Sequence, residues 1–187
     1  MSRGSLVIRE ATGADAEVVG AIARHAVRNE VLLTAGAKLM LDPPAGPPPD
    51  FGAVLANAEF RTILAIDPAS DEIAGLAVTS EDAFSALIGR PAVHVHYLLV
   101  VDERRQRGVG RELLCEVTRF AEELGAENVV IGVWTEAREV NRYFAKVGFT
   151  PVSQPRIAPV STLRRTLGLG MPPAARHNLR RRLQSRP

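Results

Sequence analysis

Residues Leu98 to Leu114 read LLVVDERRQRGVGRELL and join a predicted strand to a predicted helix through a glycine turn. The strand runs from Val93 to Val101, and the helix follows Gly110. Glycine at positions 108 and 110 removes two Cβ atoms, so a ligand can approach the main chain closely. The N–H groups of the helix's first turn point at that ligand, with the positive end of the helix dipole behind them. The turn is therefore predicted to bind a phosphate or pyrophosphate, beside the positive charges of Arg105, Arg107 and Arg111.

Two familiar nucleotide-binding motifs do not match this turn. A Walker loop needs Gly-Lys followed by Ser or Thr, whereas Arg111 follows Gly110 here. A dinucleotide fingerprint needs a third glycine where Leu113 stands, and it is expected early in the chain. A strand-to-helix turn that uses glycine without binding anything remains the alternative interpretation of the turn alone.

The rest of the chain alternates between short apolar runs typical of strands and amphipathic helical patterns. We predict a mixed α/β domain, because strands and helices follow one another along the chain. No clear strand follows Phe149, so we expect the sheet edge to be completed differently or by a second subunit. In chain order the predicted elements are the strand Leu6–Arg9, a Thr12–Asp15 capping box, the helix Val18–Val27, a proline-rich loop Asp42–Asp50, the helix Phe51–Phe60, a hairpin of Thr62–Ile66 and Ile73–Val78, the strand Val93–Val101, a helix ending near Gly125, the strand Val129–Trp134, a helix closed by Gly148 and a short helix Val160–Leu167.

Composition excludes several classes of protein. The chain has 187 residues, of which 46% are hydrophobic, so one domain with a substantial core is expected and global disorder is excluded. No apolar run approaches the roughly 20 residues that span a bilayer, and the N-terminus lacks the apolar segment of a secretory signal. The single Cys115 excludes a disulfide framework and a cysteine-based zinc site. We therefore expect a cytoplasmic protein without a membrane partner or a metal.

The charge is distributed unevenly. Residues 151–187 hold eight of the 23 basic residues and none of the 21 acidic ones, so residues 1–150 carry a net charge of −6. We expect residues 169–187 to form a basic, mobile C-terminal tail. Nucleic acid could be contacted only through this tail, and no aromatic residue is interleaved there to stack on bases.

At this point the chain resembles the GCN5-related N-acetyltransferase (GNAT) superfamily. Leu98–Leu114 is similar to its acetyl-CoA motif, whose core is [Gln/Arg]-x-x-Gly-x-[Gly/Ala]. Tyr143–Phe149 resembles its Phe-Tyr-x-x-x-Gly-Phe ending, and Ile73–Val78 resembles its glycine-containing third strand. The resemblance implies a GNAT-like mixed, mostly antiparallel central sheet flanked by about four helices. It places this domain at residues 1–168.

The resemblance also implies how acetyl-CoA would be held as the acyl donor. The main chain of Leu98, Leu99 and Val100 would pair with the pantetheine arm, and an amide near Leu98 would face the thioester oxygen. Phe144, which stands where the family usually has a tyrosine, is included among the donor-binding residues. The pyrophosphate would be cradled by Arg105, Gln106, Arg107, Gly108, Val109, Gly110 and Arg111.

His94 and His96 are the candidate bases. Residues two apart on a strand face the same side of a sheet, and an imidazole with a pKa near 6.5 can take a proton at neutral pH. Arylalkylamine N-acetyltransferases, which the chain resembles here, carry a His-x-His pair at the same distance before the arginine of the CoA motif. A satisfied core role remains the alternative for each histidine.

The general acid is not evident from the sequence. Tyr143 precedes Phe144 by one residue and is expected to face elsewhere on the helix, into the core. The thiolate would then take its proton from water or Tyr97. Because Ala137 replaces a family asparagine as well, a non-catalytic function stays open.

Taken together, these observations predict an N-acyltransferase that moves an acetyl group from acetyl-CoA to a primary amine of a small molecule or protein. Direct attack of the amine on the thioester is the expected route. The alternatives are an acyl-CoA-binding sensor or scaffold with weak catalysis, and an RNA- or ribosome-associated module acting through the tail. The sequence does not identify the amine acceptor, and a homodimer is possible.

Overall fold

The computed structural model describes residues 6–28, 50–82, 85, 89–105, 107–133, 137–152 and 160–169. The chain divides into two compact units, Met1–Thr150 and Pro151–Pro187. Among the described residues, the first unit contains the sheet and the helices up to Val147, and the second contains the short helix Val160–Thr166. Apart from Leu169, the predicted tail lies outside the described residues.

The first unit is built on one five-stranded sheet, with the strands in the order in which they occur along the chain. Three neighbouring pairs are antiparallel and the last pair, β4 with β5, is parallel. This arrangement confirms the prediction of a mixed, mostly antiparallel sheet. The strands are β1 (Val7–Glu10), β2 (Arg61–Asp67), β3 (Glu72–Glu81), β4 (Ala92–Val100) and β5 (Asn128–Ile131).

The helices follow the predicted order, but the helix predicted over Phe51–Phe60 ends at Ala56, because Asn57 adopts an extended conformation. The predicted short helix near Val160 is confirmed. The two helices predicted to end near Gly125 and Gly148 do so, and these glycines have φ values of 66° and 115°. No helix among the described residues is long and apolar enough to cross a membrane. The helices are α1 (Ala16–Arg28), α2 (Phe51–Ala56), α3 (Val109–Glu123), α4 (Arg138–Val147) and α5 (Val160–Thr166), with short 3-10 helices at Gly13–Asp15 and Asp102–Arg104.

The predicted capping box precedes α1. The Thr12 amide donates to Asp15 Oδ2 at 2.7 Å, and the Arg9 guanidinium donates to both carboxylate oxygens of Asp15 at 2.7 and 2.9 Å. These hydrogen bonds, chiefly those from Arg9, hold the pKa of Asp15 well below its usual range. The ion pair therefore connects the end of β1 to the start of the first helix.

Each face of the sheet packs against a different helix. The face toward α3 buries apolar side chains of the three central strands against Val109, Leu113 and Val117. The opposite face buries Leu64, Leu76 and Leu99 in a cluster that includes Val19 of α1. Since both faces of β2, β3 and β4 are covered, these strands are nearly continuous apolar runs.

Gly75 lets α3 lie close to the sheet. A Cβ atom at this position would lie 2.6 Å from the Leu99 carbonyl oxygen and 2.9 Å from Val109 Cγ1. Contacts this short would force backbone or helix movement, because the nearest atom belongs to a paired strand. Gly75 therefore determines how closely the first turn of α3 approaches the sheet.

We predict that Gly75→Ala lowers the free energy of unfolding by about 1–3 kcal/mol, as overpacking does in well-packed cores. Gly13→Ala is the matched control, because a Cβ there would meet no atom within 4 Å. Urea denaturation of the two variants measures the difference. Equal stability of the two variants would contradict this role for Gly75.

Candidate active site

The first feature of the site is an opening between β4 and β5. Their parallel pairing begins at Ala92 with Asn128 and ends at Val95 with Ile131, whereas β4 continues to Val100. Among the described residues, the last five residues of β4 have no strand partner on this side. Alternate residues of this segment direct main-chain N–H and C=O groups toward the opening, where an extended ligand can pair with them.

The glycine turn lies just beyond the end of β4. Gly108 has a φ of 88°, a left-handed conformation that favours glycine, and precedes the first residue of α3. The first hydrogen bond of the helix is donated by the Glu112 amide to the Gly108 carbonyl at 3.1 Å. The amides of Val109, Gly110 and Arg111 come before it and form the donor-rich end of the helix. Gln106, also predicted to contact the ligand, lies outside the described residues.

Arginines surround this turn, and they have different roles. Arg105, Arg107 and Arg111 are exposed, as a contact with a bound anion requires. Arg111 Nη1 lies 3.0 Å from Glu112 Oε1 in the same helix. Arg104, which the sequence pattern does not indicate as a ligand contact, instead forms an ion pair with Asp67.

Arg104 connects the approach to the turn with the β2–β3 hairpin. Besides Asp67, its guanidinium lies 3.4 Å from Glu72 Oε2 and donates to Ser70 Oγ at 3.3 Å. Asp67 in turn accepts a hydrogen bond from the Ala69 amide at 2.9 Å within the hairpin loop. The segment before Gly108 is thereby anchored to the sheet. No local sequence pattern predicts this contact, because Arg104 lies far along the chain from the hairpin.

A β-bulge in β4 places the candidate bases. Val78 pairs with Tyr97 and the next residue of β3, Thr79, pairs with Val95, so His96 is an extra residue in β4. His94 and His96 lie on the same face, as their spacing predicts, and their ring centroids are 4.5 Å apart. After the bulge the alternation is reversed. Leu98 therefore packs on the α3 side together with Val95.

His96 has a defined, half-buried environment. Its Nε2 atom lies 2.7 Å from Ser80 Oγ, and the Phe60 ring meets it edge to face at 5.3 Å. Burial lowers the pKa of His96, the charge of His94 lowers it further, and the Asp82 carboxylate opposes both effects. The lowered pKa favours the neutral imidazole at pH 7, which is the form that a general base requires. Among the described residues, no group of three His, Cys, Asp or Glu side chains is arranged to hold a metal.

The two aromatic residues of α4 occupy places that the sequence did not predict. The expectation that Tyr143 faces the core is wrong: its side chain is partly exposed, and its hydroxyl lies 3.9 Å from the place of a Cβ atom on Gly110. Phe144 is the buried residue, packed edge to face against Tyr143 and Phe149. Adjacent residues lie about 100° apart around a helix, so the two side chains face different ways, and the packing of α4 buries Phe144 rather than Tyr143. The contact of Phe144 with a ligand stays a prediction.

Burial raises the pKa of Tyr143, and Cys115 adds to this effect while Arg111 opposes it. The phenol therefore stays protonated at neutral pH and can donate a hydrogen bond beside the glycine turn. Its hydroxyl is therefore a hydrogen-bond donor close to the start of α3.

Four acidic residues that precede β2, Glu30, Asp42, Asp50 and Glu59, are candidates for attracting a cationic amine, and two of them are among the described residues. Asp50 accepts a hydrogen bond from the Ala53 amide at 3.2 Å and caps α2. Glu59 is exposed. The remaining two candidates, Glu30 and Asp42, lie outside the described residues.

The model of the acetyltransferase (GNAT) family matches residues 35–149, a segment that includes β4, the glycine turn and Tyr143. The chain belongs to this family. The match covers more than half of the chain, and it ends at Phe149 of the predicted Gly-Phe ending.

Solved structures share the GNAT fold with this chain. A mutant of the BH1408 protein from Bacillus halodurans aligns with a TM-score of 0.66 and 19% identity, covering 82% of this chain and 99% of that one. The aminoglycoside acetyltransferase meta-AAC0020, from an uncultured soil metagenomic sample and in complex with trehalose, aligns with a TM-score of 0.61 and 16% identity, covering 82% of this chain and 94% of that one. AAC(6')-Iy in complex with the bisubstrate analogue CoA-S-monomethyl-acetylneamine aligns with a TM-score of 0.62 and 17% identity, covering 82% of this chain and 97% of that one. At these identities the similarity establishes the fold alone.

We predict that the His96 side chain titrates below its ordinary value of 6.5, because burial and His94 disfavour the imidazolium. Asp82→Asn is expected to lower the titration midpoint further, since it removes a charge that raises it. The substitution keeps an oxygen acceptor for the Ser85 amide, which lies 2.8 Å from Asp82 Oδ2. NMR titration of the ring nitrogens measures both midpoints. A midpoint above 6.5, or one raised by Asp82→Asn, would show that this electrostatic description is wrong.

Proposed function

We propose that this GNAT-family chain is an N-acetyltransferase that transfers an acetyl group from acetyl-CoA to a primary amine. One observation carries the proposal. His96 lies at the start of the segment of β4 that has no strand partner on the β5 side, and the glycine turn follows the end of the same strand. An extended donor paired along this segment would therefore run between a phosphate-binding turn and a candidate base. Acyl transfer by the family and by the structural neighbours supports the reaction class.

The residues present fit acetyl-CoA. A ligand has room to approach the main chain at Gly110, because a Cβ atom added there would have Val100 Cγ2 as its nearest neighbour, at 3.7 Å. The amides at the start of α3 and the exposed Arg105, Arg107 and Arg111 suit a pyrophosphate. The open side of β4 at Leu98, Leu99 and Val100 suits the amide groups of a pantetheine arm. We assign these residues to donor binding.

When bound, acetyl-CoA supplies an electrophilic thioester carbon, to which the amine nitrogen forms a C–N bond as the C–S bond breaks. The amine loses one proton in this exchange and the sulfur gains one. His96 is assigned to accept the amine proton, directly or through water, with His94 beside it. A main-chain amide near Leu98 is assigned to the developing oxyanion, a role that is worth about 2.7–4 kcal/mol in other acyl-transfer sites.

The Tyr143 hydroxyl lies beside Gly110, at the end of the opening assigned to the pyrophosphate, so we assign it to donor binding. The sulfur would lie at the opposite end of the pantetheine arm, near Leu98. We therefore propose that the thiolate takes its proton from water or from Tyr97, which packs on the α1 side of the sheet.

The acceptor is proposed at the level of its chemistry, a primary amine on a small molecule or protein. A neutral imidazole next to the Phe60 ring can take a proton from such an amine without repelling it. We also propose that the enzyme works in the cytoplasm, since acetyl-CoA is available there. An oligomeric state and a nucleic-acid contact of the basic tail have no support among the described residues.

We predict that acetyl-CoA binds in isothermal titration and that thiol release is seen with at least one member of an amine panel. His96→Ala should lower kcat by about 10²-fold, which is within the range of general-base catalysis, while leaving acetyl-CoA affinity unchanged. Thr118→Ala, on the exposed side of α3, is the control.

Three outcomes count against this proposal. No binding at about millimolar acetyl-CoA would exclude the donor site, because even weak specific complexes are detected at that concentration. Binding without turnover of any amine would favour a sensor or scaffold. Equal losses of affinity and turnover in His96→Ala would show that His96 is structural.

We predict that Tyr143→Phe weakens acetyl-CoA binding by about two- to tenfold and changes kcat little, because the hydroxyl lies beside the glycine turn where the pyrophosphate would bind. Tyr97→Phe is the comparison, and its affinity for acetyl-CoA should stay near that of the unaltered enzyme. Isothermal titration measures the affinities and steady-state thiol release measures kcat. A loss of kcat in Tyr143→Phe without a loss of affinity would instead assign the proton donor to Tyr143.

A further inference from the structure

Ser80 is brought to His96 by the β-bulge. In the β3–β4 ladder Ser80 pairs with His94, two residues away from His96. The extra residue at position 96 nevertheless lets the His96 ring reach the serine, so that Ser80 Oγ and His96 Nε2 are 2.7 Å apart. Both residues are partly buried, so this hydrogen bond has limited competition from water.

The hydroxyl of Ser80 has one proton and two neighbours. Its Oγ atom also donates to the Glu81 carbonyl at 3.2 Å, and a carbonyl can only accept. Both contacts are satisfied together only if His96 carries its proton on Nε2 and donates it to Ser80. In that tautomer Nδ1 is the unprotonated nitrogen, and it is the atom that can accept a further proton.

We propose that Ser80 is a positioning residue that holds the His96 proton on Nε2 and thereby makes Nδ1 the basic atom of the site. This inference rests on the proposed function, in which His96 takes a proton from the acceptor amine. The amine proton moves to Nδ1, the Nε2 proton stays in its hydrogen bond to Ser80 Oγ, and the serine neither gains nor loses a proton. The imidazolium later returns the Nδ1 proton to water.

A neutral serine suits this position better than a carboxylate. A carboxylate at 2.7 Å would raise the pKa of the imidazole and keep it protonated at neutral pH, whereas a hydroxyl orients the ring with little change in its charge. The titratable groups that act on His96 among the described residues are His94 on the same strand and Asp82 beyond β3. Phe60, the residue before β2, faces the ring and is uncharged.

The hydrogen bond is tested by NMR of protein labelled with ¹⁵N-histidine. The chain has four histidines, and loss of one set of signals in His96→Gln assigns this ring. We expect His96 in the unaltered protein to be the Nε2–H tautomer when neutral. Ser80→Ala should convert it to a mixture of tautomers, and Ser80→Thr, which keeps the hydroxyl, should restore it. A tautomer that is unchanged in Ser80→Ala overturns the inference.

The positioning role is tested by the pH dependence of kcat/KM in thiol release. Ser80→Ala should lower kcat about five- to tenfold, the value of one hydrogen bond. It should also move the acid limb of the profile to lower pH, because the imidazolium loses an acceptor. Ser80→Thr should restore most of the kcat and most of the position of the acid limb, and Thr118→Ala serves as the control.

The outcomes separate this inference from the proposed function. If the unaltered protein releases no thiol with any amine, the acetyltransferase proposal fails together with the catalytic role of Ser80, and the tautomer still decides whether the hydrogen bond exists. If the protein is active and the tautomer changes in Ser80→Ala but the pH profile does not move, the positioning role is overturned while the proposed function stands.

Discussion

One extra residue in β4, His96, is the constraint on which the candidate site depends. The pairing with β3 skips this residue, and the pairing with β5 stops at the residue before it, Val95. A β-bulge bends its strand and increases the local twist, so the remaining part of β4 is directed away from β5. The same local irregularity thus opens the edge of the sheet and places His96 at the start of the opening.

The bulge also changes which residues share a face of the sheet. Strict alternation along β4 would place Leu98 on the side of His94 and His96, and it would leave Ser80 beside His94 alone. In the structure Leu98 packs toward α3, while both imidazoles and Ser80 are in contact on the other side. The apolar cores on the two faces are preserved, because the reversal occurs at partly exposed residues in the middle of the strand.

The other end of the opening is anchored by two contacts that are remote in sequence. Gly75 of β3 allows Val109 and the Leu99 carbonyl to approach, and Arg104 forms an ion pair with Asp67 of the β2–β3 turn. Both tie the beginning of α3 to the same hairpin. A phosphate-binding turn needs its amides held in fixed directions, since preorganised donors do not have to reorganise when the anion arrives.

Much of this could be predicted from local patterns. The hairpin, the glycine turn, α3 and the antiparallel character of the sheet follow from the alternation of apolar residues, from glycine and from hydrophobic periodicity, which act over a few residues. The partners of Arg104 and Ser80, and the exposed position of Tyr143, could not be predicted in this way. Each depends on the register of two strands or on the packing of a helix against the sheet, and a shift of one residue reverses the face on which a side chain lies. The order of residues therefore specified the elements and the glycine turn, whereas the bulge and long-range packing determined which polar groups meet, because those contacts join positions far apart along the chain.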